Sequence, residues 1–175
     1  MIKTGEQGVT REALTTHLAE TLDINRFRDY CPNGLQVEGK TRIKRLVSGV
    51  TASLALLEAA VMAGADAVLV HHGYFWRGED PRVVGNRRRR LKLLLDHEVN
   101  LYAYHLPLDA HPELGNNAQL AAQLGFKAEG RFGEQDLGWY GNAEAQTVGA
   151  LMQQVQQALG RTPQLIGDPG QPVTR

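Results

Sequence analysis

The sequence is poor in cysteine, in long apolar runs and in excess charge of either sign. Cys31 is the one cysteine among 175 residues, which excludes an intrachain disulfide and a cysteine-rich zinc module. No run approaches the roughly 20 apolar residues that span a bilayer, and the N-terminus lacks the apolar core of a signal peptide. We therefore expect no membrane partner and a cytoplasmic location.

The charges balance, since lysine plus arginine and aspartate plus glutamate both number 19. No global field favours nucleic acid or an anionic membrane, so any charge-driven binding must be local. Apolar residues make up 42% of the chain and charged residues 22%, which is typical of a globular protein with one good core.

Helical and strand patterns alternate along the chain. Amphipathic spacing predicts helices at 10–22, 52–64, 86–98, 116–125 and 147–160, with Asn116 as the expected cap of the fourth. Short apolar runs predict strands at 43–50, 65–70 and 99–106, and one or two more within 126–141. The turn residues of segment 29–40 predict a loop. We expect an α/β fold, a mostly parallel sheet flanked by helices.

Polar side chains follow two neighbouring strands at the point where each is expected to end. His71 and His72 come directly after one strand, and Asp109 follows the next. Because ligands bind at the carboxyl ends of parallel strands, these residues predict a divalent-metal site. Adjacent histidines on an extended chain point to opposite sides, so we expect them to serve two metals, or one metal and one supporting role.

His105 lies close to this site along the chain. Pro107 separates it from Asp109, which argues against a helix and favours an extended segment with both residues on one side. That arrangement makes His105 a candidate catalytic residue, either as a support for the ligands or as a proton shuttle. A lone histidine at a strand end is more often structural than a ligand, whereas two adjacent ones with an aligned aspartate favour metal.

Candidate substrate contacts follow the histidine pair. Tyr74, Phe75 and Trp76 form either an aromatic wall for a flat ligand or ordinary core packing. Arg87 opens a run of four arginines at a predicted helix start, which is either a phosphate grip or a solvated helix face. The Asn33–Gly34 pair forms either a loop over the site or a plain turn.

Four blocks together resemble a known family. They are PNGLQVEG at 32–39, GVTAS at 49–53, GADAVLVHHGYFW at 64–76 and HLPLDAHPELGNNAQLA at 105–121. In this order they are similar to the Nif-three-like dinuclear-metal family, whose bacterial members are called GTP cyclohydrolase type-two homologues. The match runs from about residue 20 to 125.

The resemblance implies two divalent metal ions (zinc, manganese, iron, nickel or magnesium) held by His71, His72 and Asp109. It also implies a Nif-three-like fold, a toroidal homohexamer, and two further ligands from a C-terminal His-x-x-x-Glu pair. This chain departs from the pattern, because no histidine follows His111. We therefore expect 1–130 to form the metal-binding portion and 131–175 to begin a second, incomplete α/β portion, as in a C-terminally truncated member with weak metal binding.

Three functions fit these features. The leading hypothesis is a metal-dependent hydrolase acting on a nucleotide or related small molecule. The second is a non-catalytic metal-binding scaffold, which the missing glutamate favours. The third is a ring-forming protein that handles damaged DNA or nucleotides, although the net charge of zero weakens the case for nucleic acid.

Overall fold

The computed structural model describes residues 8–142 and 146–173, and the chain divides between Leu108 and Asp109 into two compact units. The strands are β1 (Val9–Thr10), β2 (Gly34–Val37), β3 (Arg42–Ile43), β4 (Leu46–Thr51), β5 (Ala67–His72), β6 (Asn100–Ala103), β7 (Lys127–Phe132) and β8 (Gly138–Asn142). The helices are α1 (Arg11–Thr21), α2 (Leu54–Met62), α3 (Gly85–Asp96), α4 (Leu106–Ala110), α5 (Asn116–Gln123) and α6 (Val148–Leu159). Residue 130, the predicted boundary between portions, lies inside β7.

The first unit is built on a four-stranded sheet in the order β2-β6-β5-β4. β4, β5 and β6 are parallel, with Leu46 opposite Ala67 and Val70 opposite Ala103. A helix connects each pair of neighbouring parallel strands, α2 between β4 and β5 and α3 between β5 and β6, because parallel strands need a long crossover connection. The predicted α/β class with a mostly parallel sheet is confirmed.

Two buried clusters cover this sheet. One contains Leu57 and Ala60 of α2 and Leu94 of α3, packed with apolar strand residues. The other contains Tyr102 and Tyr104, with residues of α1. The helices begin where the sequence places caps, since the Thr10 and Ser53 hydroxyls accept backbone N–H bonds from Ala13 and Leu56.

Three local predictions are wrong. Segment 34–37, predicted as loop, is β2, an edge strand antiparallel to β6, because turn residues on both sides mask four strand residues. The segment from Leu106 is helical rather than extended, because a proline at the first turn of a helix needs no N–H acceptor. The cap of α5 is Gly115, and Asn116 is its first residue.

The second unit contains α5, the antiparallel pair β7–β8 and α6. The hairpin residues Gly133 and Gly138 flank the turn predicted by the glycines of 126–141. α6 begins at the Thr147 cap and ends at Gly160, whose left-handed φ of 64° suits glycine at a helix end. Among the described residues, the helices are too short or too polar to cross a bilayer.

Candidate metal centre

Three histidines converge at the carboxyl edge of the parallel strands. His71 and His72 are the last residues of β5, and His105 follows β6. One potential ligand atom from each lies within 4.8 Å of the other two. The ring centroids are 4.4 Å apart for His71 and His72, 4.9 Å for His71 and His105, and 5.7 Å for His72 and His105.

The expectation that the adjacent histidines point to opposite sides is wrong. Both imidazoles reach a common point with His105. β5 ends at His72, so the alternation of side chains between the two faces of the sheet does not extend beyond this residue. Because one ligand atom of each histidine lies within 4.8 Å of the other two, a single ion would have three nitrogen donors within reach.

The Nδ1 atom of each histidine has an oxygen partner. Nδ1 of His71 lies 3.1 Å from the carbonyl oxygen of Tyr104, and Nδ1 of His72 lies 3.3 Å from Oγ1 of Thr51. Nδ1 of His105 lies 2.8 Å from Oδ1 of Asp29. With Nδ1 engaged in this way, a metal would be ligated through Nε2, which is the usual arrangement of metal-binding histidines.

Asp29 is a buried carboxylate beside His105, with 2% of its side chain exposed. Burial by itself raises the pKa of this carboxyl, but hydrogen bonds from Asn33, His105 and the backbone N–H groups of Leu106 and Tyr30 outweigh it. The net effect is a pKa below the usual value. Asp29 is therefore an anion near neutral pH and acts as an acceptor only.

Cys31, Asp29 and His105 form a second group of potential ligands. Burial, and then the nearby negative charge of Asp29, raise the pKa of the Cys31 thiol to about 11. The thiol is protonated at neutral pH, and metals bind the thiolate. The oxygens of Asp29 already accept four N–H bonds. This group consequently supports His105 and makes a poor metal site by itself.

The loop after the histidines is held by Gln36 of β2. Oε1 of Gln36 accepts the N–H of Tyr74 at 2.7 Å, and Nε2 donates to the Tyr74 carbonyl at 3.1 Å. Glycine is required at position 73, because a Cβ there would lie 2.2 Å from Oε1 of Gln36 and 2.5 Å from Cβ of Ala103. Sheet and loop therefore approach closely just beyond His71 and His72.

The three aromatic residues of this loop differ in their surroundings. Trp76 is the one beside the histidines, with its ring centroid 4.9 Å from that of His105 in an edge-to-face arrangement and 6.0 Å from that of His72. Tyr74 is buried, and its hydroxyl donates to the Ala52 carbonyl at 2.7 Å. Phe75 is 41% exposed, at a left-handed φ of 66°. Trp76 is thus the aromatic residue beside the histidines, and Tyr74 packs in the core. The role of Tyr74, Phe75 and Trp76 as substrate contacts stays a prediction.

The four arginines of α3 spread around the helix. Arg87 pairs with the Glu79 carboxylate, donates to the Asp80 carbonyl and lies over the ring of Phe75. Arg90 lies over the ring of Tyr74, 5.9 Å from its centroid. The run is therefore not one basic face, and the role of Arg87 as a phosphate contact stays a prediction.

Asp109, the predicted carboxylate ligand, lies in α4 and is the first residue of the second unit. Its Oδ1 accepts a hydrogen bond from Nδ2 of Asn116 at 2.9 Å. Its place in the metal site stays a prediction. Within the first unit, the residues brought together are His71, His72 and His105, with Trp76 beside them.

Sequence reasoning missed the contribution of Asp29 and Thr51 to this site. Neither stands in a recognisable ligand spacing, because each acts on a histidine that lies far away along the chain. Asn33 gave a weak signal through its Asn–Gly pair. Its Oδ1 accepts the backbone N–H of His105 at 2.7 Å, so the loop interpretation of that pair describes its contacts better than a plain turn.

Comparison with known proteins agrees with the sequence resemblance. The family model described as Duf34/NIF3 (NGG1p interacting factor 3) matches residues 9–175. The GTP cyclohydrolase 1 type 2 homolog of Pseudomonas aeruginosa is 55% identical over 170 residues, covering 93% of this chain and 67% of that protein. The homolog of the same name from Neisseria meningitidis serogroup A is 50% identical over 168 residues, covering 95% and 68%.

Solved structures give the same grouping. A structural-genomics structure of protein ybgI, of unknown function, superposes with a TM-score of 0.88 at 50% identity and covers 91% of this chain and 64% of that one. TTHA1606 from Thermus thermophilus superposes with a TM-score of 0.80 at 35% identity, covering 89% and 64%. The chain therefore spans about two thirds of the length of these relatives.

Proposed function

Since this chain belongs to the Duf34/NIF3 family, we propose that it uses His71, His72 and His105 to bind a divalent metal in a hydrolase-type centre. The observation that carries the proposal is the convergence of three imidazole nitrogens within 4.8 Å. The oxygen partner of each Nδ1 atom supports it, because such partners fix ring orientation in metal sites.

The donor set fits some of the expected metals better than others. Imidazole nitrogen suits zinc, iron and nickel, and less well magnesium, which prefers oxygen. Three neutral imidazoles supply no negative charge, so Asp109 stays the proposed carboxylate ligand and a pair of ions stays the proposed occupancy. A divalent ion supplies Lewis acidity, which promotes hydrolysis at neutral pH.

The residues of this chain would bind and orient the reactants around that centre. Trp76 bounds one side of the histidine group, and its flat ring suits a base or another planar substrate. We propose a nucleotide or related small molecule as the substrate class. The relatives are named GTP cyclohydrolase 1 type 2 homolog, but nothing among these residues reads guanine specifically. Self-association into a ring, such as a hexamer, completes this proposal.

The alternatives have less support. A role with DNA would need a basic face, but Arg87 is paired with Glu79 and Arg90 packs against Tyr74. A non-catalytic scaffold would use the same metal group without turnover. A panel of nucleotide substrates, assayed with the metal-loaded protein, separates that scaffold from the hydrolase, because only the hydrolase releases product.

Metal content tests the proposal directly. We expect the wild-type protein to take up zinc when it is equilibrated with an excess of the ion, and His71→Ala, His72→Ala and His105→Ala each to take up much less. Each substitution removes one of three nitrogen donors, which weakens the site severely. Elemental analysis gives the metal content, and calorimetric titration of the metal-free protein with zinc gives the Kd.

His97→Ala is the matched control. His97 is exposed and closes α3, away from the three-histidine group. The His97→Ala variant should bind zinc with the same affinity as the wild type. Equal zinc content in the wild type and in all three ligand variants would refute the proposal, because the metal would then lie elsewhere.

A further inference from the structure

Two side chains of segment 29–33 form hydrogen bonds with His105. Asp29 and Asn33 lie more than 70 residues before His105 in the chain, yet both bond to it. Asn33 also donates from Nδ2 to Oδ2 of Asp29 at 2.9 Å. The ring and the backbone N–H of His105 are therefore held by two residues that also hold each other.

Each oxygen of the Asp29 carboxylate has two hydrogen-bond partners. Oδ1 accepts from the Tyr30 N–H at 2.6 Å and from Nδ1 of His105 at 2.8 Å. Oδ2 accepts from Nδ2 of Asn33 and from the Leu106 N–H, both at 2.9 Å. Three of these four partners are amide groups that can only donate. These three donors stabilise the ionised carboxylate, which can only accept, so the bond to His105 needs a proton on Nδ1.

A neutral imidazole carries one proton, and its position decides which nitrogen can bind metal. With the proton on Nδ1, the lone pair is on Nε2. A histidine without a fixed acceptor exchanges between two tautomers and rotates, which lowers its affinity for metal. Buried partners that fix the ring are therefore worth about 10- to 100-fold in metal affinity.

We propose that Asp29 is a positioning residue that holds His105 as the Nδ1-protonated tautomer, so that Nε2 is presented as a metal ligand. This inference rests on the proposed function, since it assigns His105 to the metal rather than to proton shuttling alone. Asn33 supports this arrangement, because its Oδ1 accepts the backbone N–H of His105 and so fixes the backbone at that residue. The segment before β2 thereby belongs to the metal centre.

Asp29→Asn is the sharpest test, because it changes one atom of the carboxylate. If the amide oxygen takes the place of Oδ2, it keeps the bonds from Asn33 and Leu106. The amide NH₂ then faces Nδ1 of His105, which must accept rather than donate. The proton moves to Nε2 and occupies the lone pair that the metal needs.

Two measurements on the full chain detect this shift of the His105 proton from Nδ1 to Nε2. Long-range ¹H–¹⁵N NMR of the metal-free protein, with His105→Gln to assign the signals, reports the tautomer. We expect His105 to be protonated on Nδ1 in the wild type and on Nε2 in Asp29→Asn. Zinc titration should show a Kd about 10- to 100-fold weaker in the variant.

Asp66→Asn is the matched control. Asp66 is another mostly buried carboxylate of the first unit, which accepts from Nζ of Lys40 and the N–H groups of Lys44 and Arg45. No histidine is among these partners. Asp66→Asn should therefore lose stability but keep the zinc Kd and the His105 tautomer of the wild type.

The outcomes separate the inference from the proposed function. An Nε2-protonated His105 in the wild type would overturn the inference, whether or not Asp29→Asn folds. A folded Asp29→Asn protein with wild-type zinc affinity would overturn it as well. A wild type that takes up no zinc would instead overturn the proposed function, whatever the tautomer.

Discussion

Single buried carboxylates connect distant segments of the first unit. Asp66, which precedes β5, binds Lys40 and the backbone N–H groups of Lys44 and Arg45 just before β4. Burial alone raises the pKa of Asp66, but these three partners outweigh it and lower the pKa below its usual value. The ionised form is thus the form that the fold prefers, so this residue couples folding to pH.

Replacing Asp66 by Asn should therefore cost stability in a pH-dependent way. The folded pKa is depressed, so the contribution of Asp66 is present above its unfolded pKa of about 3.9 and is lost as the pH falls through the folded value. We expect Asp66→Asn to cost about 1–2 kcal/mol of unfolding free energy at pH 7, and less below about pH 4. Urea unfolding at both pH values measures this, with the exposed Asp23→Asn as control. A constant difference would contradict it.

At the scale of elements, α2 packs against the sheet of the first unit through one face only. Leu57 and Ala60 of this helix are fully or almost fully buried in the cluster over the sheet, whereas Met62 is 87% exposed. The Ser53 cap fixes where the helix begins. Burial of this face, rather than helix propensity, supplies most of the stability of a helix of nine residues.

The two faces of α2 give a matched pair of substitutions. Leu57→Ala leaves a cavity in the cluster and should cost about 2–5 kcal/mol. Met62→Ala on the same helix removes an exposed side chain and should change stability by less than about 0.5 kcal/mol. Urea unfolding followed by the fluorescence of Trp76, with Trp139→Phe as the common background, measures both. Similar losses in the two variants would show that α2 does not pack as described.

The strands that the sequence predicted best are those with a clear run of apolar residues. β5 and β6 are short apolar runs, and their pairing follows from the βαβ rule. β2 has no such run, since two of its four residues are Gly34 and Gln36. It forms because β6 offers an edge and because Gln36 bonds to the loop beyond β5, neither of which is local information.

The candidate site was predictable in part for the same reason. His71 and His72 adjoin a recognisable strand end, so their position follows from local pattern. The convergence of their rings, and the inclusion of His105, depend on side-chain rotation at the edge of the sheet. Asp29 was missed because its partner lies 76 residues away, and no local pattern encodes a contact of that range.

At the scale of the whole molecule, each compact unit carries one of the two tryptophans. Trp76 lies in the first unit beside His72 and His105. Trp139 lies in the second unit, on β8, with the Arg131 guanidinium 4.4 Å above its ring. Both described apolar clusters consist of first-unit residues, and the three histidines of the metal proposal lie in the same unit.

Metal binding should therefore stabilise the two units unequally. In Trp139→Phe, fluorescence reports Trp76 alone, and in Trp76→Phe it reports Trp139 alone. Zinc at 100 times its Kd adds about 2.7 kcal/mol to the state that binds it, which for a unit of this size raises Tm by roughly 10–20 °C. We expect that rise for Trp76, little change for Trp139, and no rise for Trp76 when His105→Ala is added. Equal shifts at both tryptophans would contradict the expectation that zinc binding stabilises mainly the unit that contains the three histidines.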